Sequence, residues 1–225
     1  MELIQAKGDT WYLAAAELIP LYRLEGGRCI LLDSGLESER EALSAALDRA
    51  GLTPVGVFGS HTHRDHSVNN GWLRERYGTR ICLPEGEAVI ASTPLMCKQV
   101  YASLSLEGLM EDCGGMVCRA DETVGPEDGT AEFLGVPFRV LHTPGHSPGS
   151  VTYRVGDVLF CGDTLFAGGC GRWDLTGGEG AAIMASLDRL GTLEGDYRVC
   201  PGHGPMTTLD HERRSNPYLI RAMKR

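Results

Sequence analysis

The residues best suited to chemistry lie in one short segment, in which three of the chain's seven histidines occupy six consecutive positions. The segment reads Ser60-His61-Thr62-His63-Arg64-Asp65-His66 and directly follows an apolar run. Side chains alternate along an extended backbone, so His61 and His63 point the same way and can bind one metal ion. Asp65 and His66 lie where the strand should turn into a helix, and they can reach a second ion. A rigid strand that ends in such a cluster is typical of a preorganised metal site.

Three further candidate ligands lie in short loops that also follow apolar strands. His146 lies within residues 143–149, Asp163 directly follows Phe160-Cys161-Gly162, and His203 lies within residues 200–205. Proline and glycine restrict the conformations of the two histidine loops, which reduces the entropy lost when a metal binds. Three such loops beside the histidine segment indicate one shared site rather than three isolated structural residues.

Five histidines and two aspartates are enough to hold two metal ions if one carboxylate bridges them. Asp163 is the natural bridge, since a carboxylate has two oxygens to share. The first predicted site comprises His61, His63, His146 and Asp163, and the second comprises Asp65, His66, His203 and Asp163. Open coordination positions would hold water, which is typical of a catalytic site. The donor set predicts two divalent ions, with zinc as the first expectation and iron or manganese as alternatives.

The pattern of hydrophobic residues predicts strands and helices that could position these ligands. Strands are predicted at residues 10–18, 20–24, 28–32, 55–59, 80–83, 131–134, 138–141, 150–155, 158–161 and 197–200. Helices are predicted at residues 38–50, 68–77, 180–190 and 208–214. Residues 84–116 fit neither pattern well; we expect a helical segment that could cover the site. Because both halves contain strands and helices, we predict one mixed α/β (α+β) domain over residues 1–225, built as a four-layer αββα sandwich.

Composition narrows the class of protein and its partners. The 225 residues are 42% hydrophobic and 23% charged, as in ordinary globular domains. The formal net charge of -9 disfavours a nucleic-acid partner. The chain has neither a signal-peptide core nor an apolar run of membrane-spanning length, which predicts a cytoplasmic protein with no membrane partner. Its eight cysteines contain no C-x-x-C motif and are expected to be reduced, mostly buried thiols.

These motifs resemble the metallo-β-lactamase superfamily, and specifically its glyoxalase II-like (hydroxyacylglutathione hydrolase-like) branch. The resembling segments are Leu32-Asp33-Ser34-Gly35, residues 61–66, 143–146, 162–166, 168–172 and 201–204, and the ending Glu212…Asn216-Pro217-Tyr218-Leu219. The resemblance implies the αββα sandwich and the ligand assignment given above. Full-length glyoxalase II carries a helical domain after the last ligand histidine. Only 22 residues follow His203 here, so we expect the shorter, single-domain type.

The resemblance also suggests roles for two residues outside the ligand set. Arg172 matches a position at which the family places a basic residue near the glutathione part of the substrate. It is therefore a candidate substrate contact, and a surface ion pair with Asp174 is the alternative. Asp33 matches a family aspartate near the metals. We expect it to orient a ligand histidine from outside the ligand set, with capping of a turn as the alternative.

The reaction implied by the resemblance is hydrolysis of a small acyl thioester, such as an S-2-hydroxyacylglutathione. Two metal ions would share a bridging hydroxide that attacks the carbonyl, with Asp65 as a ligand that also orients it. No G-x-S-x-G nucleophile motif is present. The alternatives are a mononuclear iron persulfide dioxygenase-like enzyme and a lactone hydrolase, which use similar ligands. A true β-lactamase, a nuclease and a non-catalytic binding module are disfavoured, and the sequence leaves the oligomeric state open.

Overall fold

Two β-sheets organise the residues that this computed structural model describes, which are 1–14, 18–93, 96 and 117–224. The first sheet has the order β1 (Glu2–Lys7), β2 (Thr10–Ala14), β3 (Leu18–Leu24), β4 (Arg28–Leu32), β5 (Thr53–Phe58), β6 (Arg80–Pro84) and β7 (Glu122–Val124). The second has the order β13 (Thr207–Thr208), β12 (Arg198–Pro201), β11 (Val158–Gly162), β10 (Val151–Val155), β9 (Val136–His142) and β8 (Gly129–Phe133). Strands β4 to β7 run parallel to one another, as do β11 and β12, and the other neighbours are antiparallel.

The helices of the described residues lie between and after these strands. They are α1 (Arg40–Ala50), α2 (Arg64–Ser67), α3 (Asn70–Tyr77), α4 (Glu85–Ile90), α5 (Gly180–Gly191), α6 (Leu209–Ser215) and α7 (Pro217–Ala222). The side chain of Asn216 accepts hydrogen bonds from the first backbone N–H groups of α7, and Pro217 occupies its first turn, which is a favoured way to begin a helix. In this part of the chain, no helix combines the length and the apolar composition needed to cross a lipid bilayer.

Three separate apolar cores show how the layers stack. In β4, Cys29 and Leu31 face α1 and α3, whereas Ile30 and Leu32 face the second sheet. Between the sheets, the ring of Phe58 has its centroid 4.4–5.2 Å from those of three other aromatic side chains, Phe133, Phe138 and Tyr153. The third core joins the second sheet to α5 and α7. Three cores between four layers confirm the predicted αββα sandwich.

The structure departs from the predicted elements mainly at the edge of the first sheet. Strand β1 was not predicted because its apolar residues, Leu3, Ile4 and Ala6, do not alternate strictly with polar ones, and it is held by backbone pairing with β2. Of the predicted strand at residues 10–18, the structure has β2 over Thr10–Ala14 and places Leu18 in β3, whereas residues 15–17 lie outside the described part of the chain. The short β7 and the helix α7 were also missed. Within residues 84–116, α4 is helical as expected, whereas residues 94–95 and 97–116 lie outside the described part of the chain.

Candidate metal centre

Four loops carry the predicted ligands, and each leaves the carboxyl end of a strand. The first follows β5 and leads into α2, and the others follow β9, β11 and β12. Strands β9 and β11 both pair antiparallel with β10, and β12 is parallel to β11, so their loops leave the same edge of the sheet. Backbone hydrogen bonds join the loops: Val151 donates to the carbonyl of Ser60 at 3.1 Å, and Gly202 to that of Gly162 at 2.9 Å. The loops therefore meet at one place.

The first cluster, here called the three-histidine group, comprises His61, His63 and His146. The Nδ1 atom of His63 lies 3.0 Å from Nε2 of His61 and 2.7 Å from Nε2 of His146. One nitrogen from each ring lies within 4.8 Å of the other two. The alternation predicted for His61 and His63 is thus present, and the distant His146 joins them.

Hydrogen bonds on the outer sides of two of these rings direct their Nε2 atoms inward. Ser60 donates its hydroxyl to Oδ2 of Asp33 at 2.7 Å, so Ser60 Oγ can accept the Nδ1–H of His61 at 3.0 Å. The Nδ1–H of His146 donates to the backbone carbonyl of Arg172 at 2.7 Å. These partners select the tautomers in which Nε2 carries a lone pair, the state needed to bind a metal.

Burial keeps His61 and His63 uncharged. Removal from water, together with the charge of His66 and the other neighbouring imidazoles, holds the pKa of His61 well below its usual value. The same effects, with His146 as the main neighbour, lower the pKa of His63 to about 3. Both rings are therefore neutral near pH 7, which is the form that coordinates metal ions.

The second cluster, here called the mixed group, comprises Asp65, His66 and His203. The Oδ2 atom of Asp65 lies 3.3 Å from Nε2 of His203 and 3.7 Å from Nε2 of His66. Hydrogen bonds to Asp163 and Asp65 raise the pKa of His203 to about 10. Asp65 and His66 belong to α2, so the turn into this short helix separates them from the three-histidine group, as the sequence predicts.

Asp163 lies between the two groups and contacts both. Its Oδ2 atom is 3.4 Å from Nε2 of His146 and 3.2 Å from Nε2 of His203, and its Oδ1 atom is 3.2 Å from Nε2 of His66. Burial alone would raise the pKa of Asp163, but His66 and His203 hold it well below the usual value. The side chain is therefore a carboxylate with an oxygen facing each group.

The residues of the site fit two metal ions. Nε2 of His66 and Oδ1 of Asp163 are buried and lie 3.2 Å apart, yet neither makes a well-aligned hydrogen bond to any described residue. Buried polar atoms without a partner are uncommon and call for an ion or water. The donors around them are imidazole nitrogens and carboxylate oxygens, a set that suits zinc, iron and manganese.

Asp33 supports the site from the end of β4. Its Oδ2 atom lies 2.8 Å from Nδ1 of His66, and its Oδ1 atom accepts the backbone N–H of Ser60 at 2.6 Å. An oxygen of Asp33 also lies within 4.8 Å of ring nitrogens of His61 and His66, a ligand-like spacing. However, both of its oxygens already accept hydrogen bonds from Ser60 or contact His66. The geometry matches the expected role of orienting a ligand histidine.

Arg172 lies at the surface beside the site. Its guanidinium donates to the carboxylate of Asp174 at 2.7 and 2.8 Å, and 64% of its side chain is exposed. This is the alternative role considered from the sequence, and a substrate contact stays a prediction. Sequence reasoning missed the contact between its carbonyl and His146, because any residue can supply a backbone carbonyl. It also missed Ser60, although Ser60 directly precedes His61.

Comparison of the sequence with those of known proteins identifies the family of this chain. The sequence profile of the Metallo-beta-lactamase superfamily matches residues 21–203. The "Probable metallo-hydrolase YqgX" of Bacillus subtilis is 33% identical over 207 residues, which cover 88% of this chain and 90% of that protein. The "Hydroxyacylglutathione hydrolase" of Thiobacillus denitrificans is 37% identical over 182 residues, which cover 79% of this chain and 60% of that enzyme. This similarity fits the glyoxalase II-like branch.

Solved structures share the architecture. The crystal structure of the BLEG-1 B3 metallo-beta-lactamase has a TM-score of 0.79 and 31% identity, covering 92% of this chain and 96% of that one. TTHA1623, solved in a di-iron-bound form, has a TM-score of 0.71 and 34% identity, covering 92% and 98%. The profile match, the shared layers and the converging histidines and aspartates lead to one conclusion: this chain belongs to the metallo-beta-lactamase superfamily and is an enzyme of the metallo-hydrolase type.

Proposed function

We propose that the protein is a dinuclear metal-dependent hydrolase that cleaves a small acyl thioester, with an S-2-hydroxyacylglutathione as the expected substrate. The observation that carries the dinuclear part is the position of Asp163, whose carboxylate contacts histidines of both groups. The 37% identity to a hydroxyacylglutathione hydrolase supports the thioester part. The protein is expected to act in the cytoplasm on a small molecule, without a nucleic-acid or membrane partner.

Each group would hold one ion, and Asp163 would bind both. The three-histidine group supplies three nitrogens, whereas the mixed group supplies two nitrogens and one carboxylate oxygen. Zinc is the expected metal because it accepts such sets at low coordination number. Iron is the main alternative, supported by the di-iron form of the similar TTHA1623, and manganese is the third candidate.

The chemistry follows from what the chain places around these positions. Two divalent ions bound here would lower the pKa of a water molecule and polarise the substrate carbonyl. Asp65 would orient the attacking water, because its carboxylate is 29% exposed and reachable from solvent. Water adds to the acyl carbon, the carbon–sulfur bond breaks, and the products are a carboxylic acid and a thiol.

The cysteines in the described part of the chain are poorly suited to attack the substrate carbonyl as nucleophiles. Burial raises the pKa of Cys29, Cys82 and Cys161 to about 12 and that of Cys170 to about 11. Such thiols are protonated near pH 7, whereas the thiolate is the nucleophilic form. This supports direct attack by water rather than an acyl-enzyme formed on one of these cysteines.

Other substrates fit the same ligand set. The sequence leaves open a mononuclear iron persulfide dioxygenase-like reaction and lactone hydrolysis. The 31% identity to a B3 metallo-beta-lactamase favours one second candidate, the hydrolysis of a β-lactam amide. These reactions differ in the bond broken and in the need for oxygen, so a panel of substrates distinguishes them.

The decisive assay is hydrolysis of S-lactoylglutathione by metal-free protein reloaded separately with zinc, manganese or iron. We expect a kcat of about 1–10³ s⁻¹ with at least one metal. The rate should be lost in His146→Ala and in His203→Ala, which remove one nitrogen from each group. His211→Ala is the matched control, because His211 is exposed on α6 and belongs to neither group.

A rate no higher than that of His146→Ala would refute the thioester assignment. The same preparations would then be offered a glutathione persulfide with oxygen, a small lactone and a chromogenic β-lactam. Oxygen uptake that requires iron would support the dioxygenase, whereas ring opening of a lactone or a β-lactam without oxygen would support the corresponding hydrolase. Equal rates in His203→Ala and wild type would refute the two-metal site.

A further inference from the structure

The carboxylate of Glu87 connects two loops of the candidate metal centre. Glu87 lies in α4, and only 1% of its surface is exposed. Its Oε2 atom accepts the backbone N–H of Thr62 at 3.0 Å and the Thr62 hydroxyl at 2.6 Å. Its Oε1 atom accepts the hydroxyl of Ser147 at 2.6 Å and the backbone N–H of Gly149 at 3.0 Å. One buried charge thus accepts two hydrogen bonds from each loop.

Both loops carry members of the three-histidine group. Thr62 stands between His61 and His63 in the chain, and Ser147 directly follows His146. We propose that Glu87 is a positioning residue for metal binding, which holds these two loops at the separation that brings the three histidines onto one ion. The proposal rests on the metal site of the proposed function and is independent of the thioester substrate.

The hydrogen-bond pattern requires a carboxylate at this position. Each oxygen of Glu87 faces a backbone N–H, which can donate but not accept. A glutamine would have to turn its NH₂ group toward one of them, at Thr62 or at Gly149. That loop would lose its acceptor and meet a second donor, and an unsatisfied buried donor is unfavourable. No cation pairs with Glu87 within the described ranges, so the loops themselves balance its charge.

Gly149 provides a second, independent way to disturb the same carboxylate. A Cβ atom at position 149 would lie 2.7 Å from Cγ and 2.8 Å from Oε1 of Glu87, closer than real Cβ contacts allow. Alanine at this position would therefore displace the carboxylate while leaving its charge unchanged. Glu87→Gln and Gly149→Ala should have the same effect if the carboxylate positions the loops.

The test is a competition titration of metal-free protein with zinc against a chromogenic chelator. Wild-type protein should give two dissociation constants, which His146→Ala and His203→Ala assign to the two groups. We expect Glu87→Gln and Gly149→Ala to raise the constant of the three-histidine group by about 10–100-fold, as for other residues that orient ligands. The constant of the mixed group should change less, because Glu87 bonds directly to the two loops of the three-histidine group and reaches the mixed group only through those loops and the shared Asp163.

Two control variants separate positioning from general destabilisation. Glu85→Gln removes an exposed carboxylate from the same helix and should leave both constants unchanged. Leu47→Ala removes a fully buried side chain between α1 and the first sheet and should lower stability without selective loss of zinc. Equal weakening by Leu47→Ala would overturn the proposal.

Amide hydrogen exchange gives a readout that needs no metal. In metal-free Glu87→Gln, the amide that faces the new NH₂ group, either that of Thr62 or that of Gly149, should exchange faster than in wild type, whereas those of β4 should not change. If wild type binds zinc and Glu87→Gln shows the same zinc affinity and the same amide exchange as wild type, this inference alone is refuted. Wild-type protein that binds no zinc would refute the proposed function as well.

Discussion

Gly202 packs directly against two side chains of the candidate metal centre, which makes it a sharp test of the site geometry. A Cβ atom at this position would lie 2.6 Å from Cε1 of His66 and closer still to Oδ1 of Asp163. The φ angle of Gly202 lies outside the left-handed region, so alanine fits the backbone. The effect of Gly202→Ala is therefore steric and falls on the ligands themselves.

The size of the effect follows from these distances. The His66 ring must move by about 0.8 Å to restore the 3.4 Å at which ordinary contact begins. Metal–ligand distances tolerate only about 0.2 Å, and a misplacement of about 1 Å can reduce a rate by about 10²-fold. We expect Gly202→Ala to lower kcat about 100-fold and to lower stability by about 1–3 kcal/mol, as for other overpacked sites.

The assay combines zinc titration, S-lactoylglutathione hydrolysis and thermal unfolding. Gly129→Ala is the matched control, because a Cβ atom at position 129 meets nothing within 4 Å. A Gly202→Ala protein with wild-type zinc affinity and rate would refute the argument, since it would show that the loop moves aside without displacing either ligand.

Four further predictions follow from other parts of the structure. In Asp33→Asn the left-handed backbone is kept, because asparagine tolerates it, but the new NH₂ group must face a hydrogen-bond donor. Chelator competition should therefore show a zinc affinity about 10–100-fold lower in the mixed group. Arg172→Ala should raise the KM for a glutathione thioester with kcat unchanged in steady-state kinetics. Chelation of metal should lower the melting temperature, and zinc at 100 times its dissociation constant should restore about 2.7 kcal/mol for each ion bound. Phe58→Ala removes a fully buried ring between the sheets and should lower the free energy of unfolding in urea by about 3–5 kcal/mol.

Each of these has a result that would contradict it. Unchanged zinc affinity in Asp33→Asn would mean that Asp33 only caps a turn and does not orient a ligand histidine. An unchanged KM in Arg172→Ala would leave only the surface pair with Asp174. A melting temperature insensitive to chelators would mean that no bound metal stabilises the fold, and a small loss in Phe58→Ala would mean that the inter-sheet core collapses around the cavity.

The clustering of the candidate ligands was predictable because each of them follows a strand whose pattern is local in the sequence. Alternation placed His61 and His63 on one side, and the expected start of a helix separated Asp65 and His66 from them. Residues that position the ligands were not predictable in the same way. Glu87 resembles its exposed neighbour Glu85 in sequence, and only the packing of α4 against the ligand loops distinguishes them. The edge strand β1 was missed for a related reason: its apolar residues do not follow the alternation of a strand, and the backbone pairing with β2 that holds it cannot be seen in the sequence.

The convergence of four loops from two sheets also determines the order of events during maturation. His61 and His203 are separated by 142 positions, so the unfolded chain must close long loops before it can offer a full ligand set. Only the segment from His61 to His66 can meet a metal early. Tight metal uptake therefore follows the docking of the two sheets. The metal-free chain would then fold through apolar burial and backbone pairing before it binds metal, and the supply of metal would decide how much of the folded protein fills both groups.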